Sequence, residues 1–305
     1  MVSSAALLPV LLAAFLAQRP EPSVISEMLQ TSPSDGGVSA PLSNAAAAQA
    51  LALTAFALAL APLALRLARV VHPGRNVFFA RWGFSHVALA LLLSAAALAT
   101  AGPLAQALDL APLDTLHTLA LQCALLLPTV ALIVALAGQL DPDGWRSLGL
   151  RGAGSGTAIA CGLIGYVCAV PGLLGLQILA RFAIERSGLE FKVQALADYA
   201  SGLAGAELAL FAVLAVVVAP VIEELLFRSF LQPLLVQNLG DRGGVLVTAL
   251  LFAAAHANLA SFFPIFALGI VLGATMLRTQ RFAAPVVVHA VHNGLTLLLV
   301  ASTSG

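Results

Sequence analysis

Residues 203–228 read LAGAELALFAVLAVVVAPVIEELLFR, an apolar run that closes on two adjacent glutamates and an arginine. A bilayer core about 30 Å thick needs about 20 apolar residues at 1.5 Å of helical rise each, and the stretch before Glu223 has that length with one interior charge, Glu207. Runs of the same kind recur at 44–66, 83–107, 117–138, 156–180, 243–259, 262–277 and 283–301. The expected fold class is therefore all-α, a polytopic transmembrane bundle of about eight spans. A ninth is added if residues 2–17 form a short helix and not a signal peptide.

Composition agrees. Of 305 residues 60% are hydrophobic and 9% charged, with a mean hydropathy of +1.00, where a soluble domain carries about 25% charge. The net charge is zero and the isoelectric point near 7.0, so there is no basic footprint for phosphates and nucleic acid is not an expected partner. Membrane lipids are. Cys123, Cys161 and Cys168 lie inside apolar runs without C-x-x-C spacing, which reads as packing and not as a thiolate site.

Residues 18–43, rich in Pro, Ser and Gly, read as a flexible linker. A second break at 141–155 holds Asp-Pro-Asp-Gly, then Trp145, Arg146 and Arg151, side chains suited to a membrane surface. It divides the chain into accessory helices over 1–140 and a chemically loaded core over 145–301. Arg66, Arg69, Arg75 and Arg81 gather in one loop, Arg278 and Arg281 in another, and counting crossings puts both loops on one side. Short cytoplasmic loops are enriched in arginine, so that side, with the end of the 203–222 span, is expected to face the cytoplasm.

Ionisable groups at membrane depth cost at least about 2.5 to 3.5 kcal/mol each on the insertion scale, so each asks for a reason. Glu207 is expected near the opposite interface, with no role in chemistry. Glu224 and Arg228 are i and i+4, a spacing that allows an ion pair. Glu223 points about 100° away on an α-helix, lacks that partner, and is placed to accept a proton from water. The competing reading makes both glutamates a solvated helix end. His256 taken alone is a packing residue. His289 and Asn293, i and i+4 in the last run, face one side of their helix, with His292 on its border. Three polar clusters are most cheaply buried together, and a carboxylate, imidazoles and an amide are the parts needed to add water to a carbonyl. Glu223, His256 and His289 are equally able to hold a divalent ion such as zinc. H-E-x-x-H, G-x-S-x-G and phosphate-loop motifs are absent.

Glu223-Glu224-x-x-x-Arg228, Phe252-x-x-x-His256 and His289-x-x-x-Asn293, in that order, resemble the CAAX protease and bacteriocin-processing family of intramembrane endopeptidases, which includes the type II CAAX prenyl proteases. The segment from Trp145 to Arg151 is similar to the lead-in of that family's core. The resemblance covers about residues 145–301. It implies an intramembrane endopeptidase acting on a peptide or lipidated protein, of prenylated CAAX type. Glu223 would activate water with His256 as partner, His289 and Asn293 would stabilise the oxyanion, and Glu224 with Arg228 would support them. Two other classes share these letters: a non-catalytic scaffold or immunity factor, and an ion or proton transporter.

Overall fold

The computed structural model describes residues 44–71, 80–107, 115–187, 200, 202–258 and 261–303. The segments read as a short helix or signal peptide (2–17) and as a linker (18–43) lie outside them. Helices run over Asn44–Val71 (α1), Phe84–Ala107 (α2), Thr115–Leu140 (α3), Ser155–Arg186 (α4), Gly205–Ala255 (α5), Phe262–Thr279 (α6) and Ala283–Thr303 (α7), and no strand occurs among the described residues. Five of them, α2 to α6, are long and apolar enough to cross a membrane. The protein is an all-helical integral membrane protein, and the expected spans match helices apart from one region.

That region is α5. The spans expected at 203–222 and 243–259 are joined by helix and not by a loop, because the chain stays helical past the glutamates until Gly240. Gly240 has φ 71° and ψ 172°, a backbone region open in practice to glycine alone, and here the tract turns back on itself. A continuous helix from Arg228 to Phe252 would hold them about 36 Å apart at 1.5 Å per residue. Instead the Arg228 guanidinium lies 3.9 Å from the Phe252 ring centre. The two arms press together at Gly244, where a Cβ would stand 2.5 Å from the Val236 backbone nitrogen.

The first arm is also irregular. Two π-helical stretches, Val213–Val218 and Leu225–Leu231, flank the short α-helical piece Ala219–Glu224. Each ends just ahead of a proline, Pro220 or Pro233. A proline inside a helix brings no N–H to the carbonyl four residues back and crowds it with its ring, and a widened turn relieves that conflict.

Packing uses small residues where helices meet closely. A Cβ on Gly175 of α4 would lie 2.5 Å from the Ala50 carbonyl of α1, and one on Gly269 of α6 would lie 3.0 Å from Ala249 of α5. One apolar cluster joins Trp82, Val87, Ile133, Leu148, Phe230, Leu234 and Phe252, with Phe282 against it. Within it the linker before α4 is tied to the α6–α7 turn: Phe282 N–H donates to the Gly149 carbonyl at 3.0 Å and Arg281 Nε to the Ala153 carbonyl at 2.9 Å.

Gly240→Ala is expected to lower stability by about 1–3 kcal/mol through backbone strain, and Gly244→Val by overlap with Val236. Gly102→Ala, where a Cβ meets nothing within 4 Å, should be close to neutral. Thermal denaturation of the purified variants in detergent measures all three.

Candidate active site

Glu224 is wholly buried and its Oε1 is doubly engaged, accepting from Arg228 Nη1 at 3.0 Å and from His289 Nδ1 at 2.9 Å. For Glu224 the reading as a solvated helix end is thereby overturned. Continuation of the helix beyond residue 224 is what buries it, since it places Glu224 mid-tract. Arg228 is equally inaccessible. Its guanidinium rests on the face of Phe252, a cation–π contact that supplements the single ion pair. Phe252 in turn presents its ring to His289 at 5.7 Å and to His256 at 4.7 Å between centroids.

Glu223 behaves differently. Its side chain retains 31% exposure, and its Oε2 lies 3.9 Å from His289 Nε2. Sequence spacing on a regular helix separates the two carboxylates; in the structure one imidazole faces both, Glu224 on one ring nitrogen and Glu223 on the other. Because an ionised carboxylate can only accept, Nδ1 of His289 is the donor to Glu224 and its Nε2 is the nitrogen turned to Glu223.

The remaining expected residues stand close by with other partners. His256 directs Nδ1 to the Phe252 carbonyl at 2.8 Å. Among the described residues no hydrogen bond or ion pair joins it to either glutamate; the Phe252 ring links it to His289. Asn293 Nδ2 donates to the Ala215 carbonyl at 2.9 Å, inside the first π-helical stretch. His292 meets the Tyr166 hydroxyl of α4 at 3.1 Å. Glu207 is exposed in the first turn of α5. Around the ion pair, Glu224 Oε2, Arg228 Nε and Nη2, Ser229 Oγ and Gln232 Oε1 are buried without a hydrogen-bond partner among the described residues, so the surroundings are polar at a depth where polarity is costly.

The alternative in which Glu223, His256 and His289 ligate a divalent cation such as zinc is not supported. Among the described residues no three His, Cys, Asp or Glu side chains are grouped as a metal site needs.

One contributor carried no readable signal. Trp82, buried at the entrance to α2, donates Nε1–H to the Phe230 carbonyl at 2.8 Å and stacks on the Phe230 ring at 4.9 Å. In the sequence it is a tryptophan beside Arg81 ahead of an apolar run, the usual mark of an interfacial anchor.

Residues 205–295 match the family model described as type II CAAX prenyl endopeptidase Rce1-like. The matched segment is under a third of the chain; it holds Glu223, Glu224, Arg228, His256, His289 and Asn293 and agrees with the motif resemblance. No curated protein and no solved structure matches significantly.

Removing one partner of a buried ion pair leaves an uncompensated charge and costs about 3–5 kcal/mol, more than removing both. Arg228→Leu is therefore expected to lower the unfolding free energy by about that amount, and adding Glu224→Gln should restore part of it. Denaturation of single and double variants checks this; strictly additive losses would show that the pair is not coupled.

Proposed function

We propose that this protein is an intramembrane endopeptidase of the CAAX protease family, in which Glu223 activates the attacking water and His289 meets the oxyanion. The observation that carries the reading is the 3.9 Å separation of Glu223 Oε2 and His289 Nε2. It is too long for a direct hydrogen bond and short enough for one water oxygen to bond both atoms.

The chemistry follows from charge and geometry. Two carboxylates face one guanidinium, and N–H donation from His289 to Glu224 and to the oxyanion answers the negative charge that the guanidinium leaves. Water gives a proton to Glu223 as its oxygen bonds the scissile carbonyl carbon. The carbonyl oxygen, now negative, accepts the N–H at His289 Nε2. Glu223 then passes its proton to the leaving amine as the C–N bond breaks, which regenerates the carboxylate. Glu224 acts by orientation: it holds the imidazole by Nδ1, and Arg228 offsets its charge. Asn293 keeps one amide N–H while the other serves Ala215, so it remains available as a second oxyanion donor. His256 flanks the same aromatic ring.

The substrate we propose is a membrane-associated peptide or lipidated protein, with a prenylated C-terminal CAAX segment as the first to test. We further propose that the site is reached from the cytoplasmic side. Support comes from the arginine-bearing ends: Gln237, near the α5 reversal, bonds the Ala80 carbonyl beside Arg81, while Arg281 bonds the linker that follows Arg146 and Arg151.

General base and oxyanion groups contribute about 10²- to 10⁴-fold each. With an internally quenched, farnesylated CAAX peptide in proteoliposomes, Glu223→Gln and His289→Ala should each lower kcat by at least about 10²-fold while the protein still inserts and purifies. Unchanged cleavage in Glu223→Gln would refute the mechanism. Cellular function surviving Glu223→Ala would favour the scaffold reading, and proton flux abolished by Glu223→Gln the transporter.

A further inference from the structure

The carboxylates sit on a piece of helix that is unusually short and unusually bounded. Ala219–Glu224 lies between two π-helical stretches, and an N–H donor from another helix or its lead-in reaches a backbone carbonyl in each. Asn293 of α7 bonds Ala215 in the first, and Trp82, ahead of α2, bonds Phe230 in the second. A π turn is locally unstable against the α-helix and persists where the surroundings fix it, often at functional sites. Arg228 stands in the second stretch, two positions before Phe230. The winding of that stretch therefore sets where the guanidinium points, and through Glu224 it sets His289.

We infer that Trp82 is a positioning residue for the site: its indole N–H, bonded to the Phe230 carbonyl, holds the π-helical stretch in the winding that aims Arg228 at Glu224 and so orients the His289 imidazole. Trp82 lies outside the matched segment 205–295, so this assigns a part in the site to the N-terminal helices. Its indole is 2% exposed, its bond at 2.8 Å is short for N–H to O, and its ring is stacked at 22° on that of Phe230. The stack supplies packing; the hydrogen bond fixes the carbonyl.

The inference rests on the endopeptidase reading for its activity measurement alone. The test separates bond from stack in the full-length protein. Trp82→Phe keeps an aromatic ring on Phe230 and removes the donor, whereas Phe230→Leu removes the stack and keeps the carbonyl. With the farnesylated CAAX peptide, Trp82→Phe should lower kcat about tenfold with KM within about twofold of wild type, and should move the ¹⁵N signals of the His289 imidazole. Phe230→Leu should lower the melting temperature and leave kcat and those signals near wild type. Should Trp82→Phe fail to fold, benzothienylalanine in place of tryptophan, in a Trp145→Phe background, removes the N–H and keeps the shape. The inference is overturned if the donor-deleted protein retains wild-type kcat and imidazole signals, or if both substitutions lower kcat alike in proportion to lost stability. If neither wild type nor Glu223→Gln cleaves the peptide, the endopeptidase reading fails by itself, and the imidazole signals still decide the role of Trp82.

Discussion

A carboxylate cut off from water needs its charge answered by the protein, and Glu224 is such a carboxylate. Its Oε1 is shared by a guanidinium from its own helix and an imidazole from the last one. Neither partner tolerates displacement, because an unpaired charge in a low-dielectric interior costs several kcal/mol. This one atom fixes the rotation of α7 against α5, the proton-bearing nitrogen of His289, and the direction in which the second nitrogen faces. Glu223, left partly accessible, is the group those constraints surround.

The helices were legible because bilayer thickness imposes a length that composition must satisfy. Thirty ångströms of hydrocarbon translate into runs of about 20 apolar residues, and the ends of α1, α2, α3, α4, α6 and α7 fall close to the runs. Hydropathy has no comparable hold on α5. Between Leu225 and Leu235 the side chains are apolar but for Arg228, Ser229 and Gln232, and all are buried; whether such a segment is loop or helix is decided by its partners. Gly240 carried the signal for the reversal, as a glycine ahead of Asp241 and Arg242, yet only the positive φ turns that hint into a hairpin.

In the site, short-range spacing was readable and long-range pairing was not. The i and i+4 relation of Glu224 and Arg228 predicts the ion pair found at 3.0 Å. Separation of the carboxylates by 100° holds on an ideal α-helix, but it does not anticipate an imidazole from another helix bridging them. Spacing is also silent on Phe252, whose ring is the floor beneath Arg228 and the partition between two histidines. Trp82 lies 148 positions from the carbonyl it bonds, a pairing that only three-dimensional packing creates.

The doubling back of α5 at Gly240 has a bearing on biosynthesis. Both glutamates, the arginine, the aromatic floor and His256 come from one uninterrupted stretch of chain, so these groups can come together as soon as that stretch has left the ribosome and inserted. The imidazole that completes the array belongs to α7. A nascent chain still short of that helix holds a carboxylate–guanidinium pair without its imidazole, and in the mechanism proposed above hydrolysis awaits docking of the last helix.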